Sequence, residues 1–143
     1  MNPPEPYEGV ALDKATCLVV DDDATISRAV GNMLRRDGAT VYTAASGDEA
    51  LQWMDGHAVD LVVTDLKMDG MDGLELTATI KQRNSSISVV VMSSHAAPDY
   101  AAKATSCGAA AYLRKPFNAE TCIGVVRRAL IEKASGDVDH TLV

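Results

Sequence analysis

The sequence predicts a three-layer α/β sandwich, a five-stranded parallel sheet covered by five helices. Three observations predict it. Five short runs are rich in β-branched residues and mostly apolar at successive positions, as strands covered on both faces are. Each run is followed by a helix signal. The two kinds of segment alternate along the chain, which right-handed crossovers turn into a layered parallel sheet.

The first run, Thr16-Cys17-Leu18-Val19-Val20, precedes Ile26, Val30, Met33 and Leu34 at helical spacing. Gly38 stands where that helix would end. The second run, Ala39-Thr40-Val41-Tyr42-Thr43, leads to Ser46-Gly47-Asp48-Glu49, a capping box with Ser46 as N-cap. Gly56 follows that helix. The third run, Leu61-Val62-Val63-Thr64, leads to a helix with Asp72 in the N-cap position. The fourth, Val89-Val90-Val91-Met92, precedes a segment carrying Ala101, Ala102 and Ala104, small enough for close approach of a partner, and closed by Gly108. The fifth, Ala110-Ala111-Tyr112-Leu113, precedes Asn118 as N-cap and Ile123, Val126 and Leu130 at helical spacing. Residues 1–14 hold three prolines and read as a flexible arm, 15–133 as the folded domain, and 134–143 as a polar tail.

Composition narrows the function. The 143 residues suit one domain, with a globular balance of 47% hydrophobic and 23% charged residues. A net charge of −7 argues against direct binding to nucleic acid, which wants a basic face. Cys17, Cys107 and Cys122 have no zinc-like spacing and read as small core or semi-buried residues. No apolar run approaches the roughly 20 residues of a membrane span. The acidic, proline-rich start does not resemble a signal peptide. Together these features predict a soluble cytoplasmic domain. His57 and His140 read as solvated, Trp53 as packing, and Arg127 and Arg128 as a solvated helix face.

In an open parallel sheet the functional crevice lies at the carboxyl ends of the strands. The first strand ends in Asp21-Asp22-Asp23, the third in Asp65, the fourth in Ser93-Ser94-His95, and the fifth leads into Arg114-Lys115-Pro116-Phe117. Neighbouring carboxylates repel one another unless solvent or a cation offsets them. Hard oxygen ligands without His or Cys favour Mg²⁺, which is usually shared with phosphate oxygens. A carboxylate beside Mg²⁺ can attack phosphorus and form an aspartyl phosphate. Lys115 offers a positive point charge and Ser93 a hydroxyl for the phosphoryl oxygens, and phosphoryl transfer needs mainly alignment and charge neutralisation.

These segments resemble the receiver domain of bacterial two-component response regulators. The resemblance is carried by Leu18-Val19-Val20-Asp21-Asp22-Asp23, Val63-Thr64-Asp65-Leu66-Lys67-Met68, Met71-Asp72-Gly73-Leu74-Glu75-Leu76, Val91-Met92-Ser93-Ser94, and Gly108-Ala109 through Tyr112-Leu113-Arg114-Lys115-Pro116-Phe117. It covers about residues 15 to 133. It implies a doubly wound sheet of order 2-1-3-4-5. It implies that Asp65 is the phosphoacceptor, and that Asp22, Asp65 and the backbone carbonyl of Lys67 ligate Mg²⁺, with Asp21 holding the metal mainly through water. Ser93 would be the switch hydroxyl and Tyr112 the aromatic switch, with Lys115 pairing the phosphate and a cis peptide before Pro116. The implied phosphodonor is a sensor histidine kinase or histidine phosphotransfer protein. The implied output is a protein partner or homodimer using the fourth helix, fifth strand and fifth helix. The domain would catalyse only its own phosphoryl transfer and slow dephosphorylation, whether as a stand-alone receiver or as part of a longer protein.

Asp69 departs from the family, which commonly has proline there; it reads either as a tolerated loop substitution or as an added carboxylate that alters metal affinity. Lys67 and His95 occupy positions that in the family influence phosphate loss. Two rival readings remain. Asp21-x-Asp23-x-Thr25 fits the nucleophile motif of haloacid-dehalogenase-type phosphatases, but that reading leaves Asp65 unexplained and lacks a later acidic pair. A receiver-fold interaction module independent of phosphorylation would not need the intact set Asp21, Asp22, Asp65, Ser93 and Lys115.

Overall fold

The computed structural model of the protein describes residues 12–94 and 98–139, with backbone alone at 98 and 133–139. The chain runs β1 (Thr16–Val20), α1 (Ala24–Arg36), β2 (Thr40–Ala44), α2 (Gly47–Met54), β3 (Leu61–Asp65), α3 (Gly73–Arg83), β4 (Ser88–Ser93), α4 (Pro98–Ser106), β5 (Ala111–Arg114) and α5 (Ala119–Asp139). The strands pair in parallel in the order β2-β1-β3-β4-β5. Five strands alternating with five helices thus form the doubly wound sandwich expected from the sequence.

Strand periodicity divides the core in two. Cys17 and Val19 of β1 lie on one face with Val63, Val90 and Met92, against Val30 and Leu34 of α1 and Cys122 and Val126 of α5. Leu18 and Val20 lie on the other with Val62, Val89 and Val91, against Leu51 of α2, Leu76 and Ile80 of α3 and Ala104 of α4. The three inner strands are buried at nearly every position, which is why their sequences carry no polar alternation. Burying each large apolar side chain contributes roughly 1.5–3 kcal/mol.

Caps set the helix starts. The Asp72 carboxylate accepts from the Glu75 N–H at 2.8 Å and the Asn118 side chain from the Thr121 N–H at 2.8 Å. The Ser46 hydroxyl accepts from the Glu49 N–H, but the reciprocal bond runs from the Ala45 N–H to Glu49, one residue before the cap. Gly38 and Gly108 adopt positive φ after α1 and α4. Gly56 is not among the positive-φ glycines. The residue after α2, Asp55, stays in the right-handed helical region, so the chain leaves that helix without a left-handed turn.

Several strand ends shift by a residue from the runs read in the sequence, and the ends of the folded region shift further. Residues 1–11 of the expected arm lie outside the described residues, but Leu12 is fully buried and its N–H donates to the Asp37 carbonyl at 3.1 Å. The packed region therefore begins before residue 15. Strand β2 starts at Thr40, because the Ala39 N–H is still closing the end of α1 on Leu34. Helix α5 continues past residue 133 to Asp139. No proline interrupts it, and Gly136 costs only about 1 kcal/mol in a helix interior. Residues 140–143, His140 included, lie outside the described residues.

Arg127 is not a solvated helix residue. Its Nε donates to Asp37 Oδ2 at 2.8 Å and its Nη2 to Oδ1, pairing α5 with the turn before β2. Arg128 pairs with Glu132 along the exposed side of α5.

Candidate functional site

Register brings the strand ends together. Val20 pairs with Thr64, so Asp21 and Asp65 stand side by side as the backbones of β1 and β3 reach their carboxyl ends. The Leu66 N–H then donates to the Met92 carbonyl at 2.9 Å and the Lys115 N–H to the Ser93 carbonyl at 2.8 Å. These bonds hold the ends of β3, β4 and β5 level. Helix α3 begins tightly against the same point. A Cβ at Gly73 would lie 2.3 Å from the Asp65 carbonyl oxygen, so only glycine fits this approach.

The resulting crevice holds carboxylate oxygens of Asp21, Asp22 and Asp65 within 4.8 Å of one another. Lys115 joins them, with Nζ 2.9 Å from Asp65 Oδ1 and 3.2 Å from Asp21 Oδ2. The Lys115-Pro116 peptide is cis. Asp21 is 2% exposed and Asp65 9%, whereas Asp22 faces solvent. Burial pushes the Asp21 carboxyl up; the Asp23 N–H and Lys115 pull it down, Asp65 raises it, and the net direction is upward. Burial opposes the Lys115 charge, but its bond to Asp65 and the fields of both carboxylates outweigh that and hold the ammonium above the ordinary lysine value. Three carboxylates facing one ammonium leave an excess of negative charge. The oxygen-only donor set and this excess fit Mg²⁺.

The third acid of the first strand end has a different role. Asp23 caps α1, its carboxylate accepting from the N–H groups of Thr25 and Ile26. Its own N–H donates to Asp21 Oδ1 at 2.9 Å, steadying that carboxylate. Ser93 is buried at the end of β4, in register with Arg114 and so one residue from Lys115. Tyr112 lies half-buried in β5 against the face carrying α4. Lys67 is exposed, and its ammonium lies 5.5 Å from the centroid of the Tyr100 ring. Asp69 is exposed in the same loop. His95 lies outside the described residues.

Sequence reasoning missed Tyr100, which nothing in its own segment connects to Lys67. It also read His57 as merely solvated. His57 is exposed, yet its ring stacks on Trp53 at 4.3 Å with an interplanar angle of 2°, beside Tyr42 on the edge strand. This cluster lies outside the acidic crevice. Ala104 is fully buried in the core, so it contributes to packing and not to an open surface on α4.

A family model of the response regulator receiver domain matches residues 17–127. The chain belongs to the response regulator receiver domain family. It is 38% identical over 119 residues to the DNA-binding transcriptional regulator NtrC of Escherichia coli strain K12, which covers 83% of this chain and 25% of that protein. The chain therefore spans about a quarter of that relative's length. A receiver domain protein from Clostridium thermocellum has a solved structure with TM-score 0.78 and 33% identity, covering 84% of this chain and 97% of that one. NtrX from Brucella abortus gives TM-score 0.83 and 34% identity over 90% of this chain and 29% of that one. Receiver domains are signalling domains of two-component systems and not enzymes in the ordinary sense. Among the described residues no helix is long and apolar enough to cross a membrane.

Proposed function

We propose that this receiver is a phosphorylation-activated switch that accepts a phosphoryl group on Asp65 from a histidine kinase or histidine phosphotransfer protein. The observation that carries the reading is the Lys115 ammonium bridging Asp65 and Asp21 beside the exposed Asp22. Asp22, Asp65 and the Lys67 carbonyl would hold Mg²⁺, with Asp21 acting mainly through water. Bound there, the ion would offset charge as phosphoryl oxygens enter the crevice.

An Asp65 oxygen forms the new bond to phosphorus while the donor's N–P bond breaks, and the imidazole keeps that electron pair. Lys115 pairs with the incoming oxygens. An apolar groove of about 260 Å³, lined by Ile26, Ala29, Met33, Pro116 and Phe117, opens beside Lys115 and suits apolar side chains of the protein that brings the phosphoryl group.

Phosphorylation adds roughly −1.5 to −2 charges. Ser93 would move to the new oxygens, Tyr112 would turn into the space it leaves, and the surface of α4, β5 and α5 would change for an output protein or a second copy. Shifting such an equilibrium from 1:99 to 99:1 takes about 5.5 kcal/mol of differential stabilisation.

Intact-mass spectrometry with Mg²⁺ and acetyl phosphate tests the reading. One phosphoryl group should appear, depend on Mg²⁺, and vanish in Asp65→Asn. A gain that survives in Asp65→Asn but is lost in Asp21→Asn would move the nucleophile to Asp21, as the phosphatase reading requires. A Mg²⁺ titration of Asp69→Pro tests the loop carboxylate; an unchanged curve removes it from the metal site.

A further inference from the structure

Lys67 lies two residues after Asp65, and the backbone around it is fixed. The Leu66 N–H is bound to Met92, and the Leu66 carbonyl accepts from the Gly73 N–H at 2.9 Å. The Lys67 side chain is exposed and reaches across to α4, where its ammonium lies over Tyr100. The Tyr100 ring is partly buried against the core, so packing helps to set its orientation. Lys103, on the same helix, brings a second ammonium to 5.5 Å from the same ring centroid.

We propose that Tyr100 is a positioning residue: its ring holds the Lys67 ammonium away from Asp65 and thereby sets how long the aspartyl phosphate survives. The inference rests on the receiver reading of Asp65. A solvent-exposed ammonium over an aromatic face is attracted only weakly. Two cations over one ring also repel each other, so the hold on Lys67 is readily exchanged. A phosphoryl group forms stronger charge-assisted bonds. The flexible lysine stem divides its time between the two.

Hydrolysis forms a bond from water oxygen to phosphorus and breaks the bond to Asp65. The carboxylate keeps the electron pair, and the water protons pass to the released phosphate and solvent. A Lys67 ammonium resting on the phosphoryl oxygens blocks that water. Tyr100 withdraws the block.

The experiment loads the whole chain with Mg²⁺ and acetyl phosphate, removes the donor, and follows phosphoryl occupancy by intact mass. Tyr100→Leu should lengthen the half-life about two- to fivefold. Tyr100→Phe keeps the ring face and should match the parent. Tyr100→Trp, a stronger cation acceptor, should shorten the half-life. In a Lys67→Ala background the three variants should be alike. By NMR, the Lys67 ε-protons should carry a ring-current shift that beryllofluoride removes. Equal half-lives for Tyr100→Leu and Tyr100→Phe, an effect that persists without Lys67, or no ring-current shift would each overturn the proposal while leaving the receiver reading standing. A parent that accepts neither phosphoryl group nor beryllofluoride would overturn both.

Discussion

The two sides of the sheet are held differently. On the α1 and α5 side, Val30, Leu34 and Val126 are buried together, and the Arg127–Asp37 pair fastens the end of α1 to α5. On the other side, among the described side chains of α4 the fully buried one is Ala104, with Ala109 just after the helix, while Tyr100 and Tyr112 are only partly buried. Hydrophobic stabilisation follows buried apolar area, so α4 has the weaker hold. Both sides meet the acidic crevice, α5 through the Lys115-Pro116-Phe117 segment and α4 through Lys67. The lesson is a division of labour: α1, α2 and α3 are anchored by large buried side chains, and the weakly held α4 is the element freest to respond to a charge placed in the crevice.

The largest test of that contrast is Leu34→Ala, which should cost about 2–5 kcal/mol in denaturant unfolding. Ala104→Gly on α4 should cost about 1–2 kcal/mol, from helix propensity and the loss of one buried methyl. Equal losses would break the comparison. Arg127→Ala should come next. The side chains of Arg127 and Asp37 are 24% and 15% exposed, so solvent tempers the loss to about 1–2 kcal/mol. Arg127→Lys should recover only part of it, because an ammonium cannot match a forked guanidinium. Hydrogen exchange sharpens the contrast further. Beryllofluoride with Mg²⁺ should change amide exchange in α4 and β5 by roughly tenfold, about 1.4 kcal/mol of opening free energy, and leave α1 nearly unchanged.

The smallest effect concerns the thiols. Burial, reinforced by Asp60 and Cys122, pushes Cys17 up to about 12, and burial pushes Cys122 up to about 11. A raised value means less thiolate at a given pH, so at pH 8 both stay protonated and unreactive. Iodoacetamide should therefore place one adduct on the native protein, at the half-buried Cys107 that follows α4. Adducts at Cys17 or Cys122 without denaturant would show that the α1 and α5 side opens too.

Much of this was legible in the sequence because its signals are local. Runs of β-branched residues marked the strands, and Asp72, Asn118 and Ser46 marked helix starts within a few residues of the N–H groups they cap. Asp21, Asp22, Asp65 and Lys115 were legible because a parallel sheet gathers its carboxyl ends at one edge. What stayed hidden depends on pairs far apart in the chain. Arg127 and Asp37 are separated by 90 positions, and neither residue type announces a partner at that distance. Lys67 and Tyr100 meet only because the β3–α3 loop and α4 border the same crevice. Leu12, between an unpatterned start and Asp13-Lys14, has no periodicity to mark it as core.

Leu12 also orients the molecule for use. Its bond to Asp37 anchors the described start of the chain beside the turn between α1 and β2, at the amino ends of the strands. The acidic crevice lies at their carboxyl ends. An affinity tag, fluorophore or surface linker attached ahead of residue 12 would join the packed domain at its far pole. Immobilised this way, the protein would present its reactive end to a phosphodonor in solution.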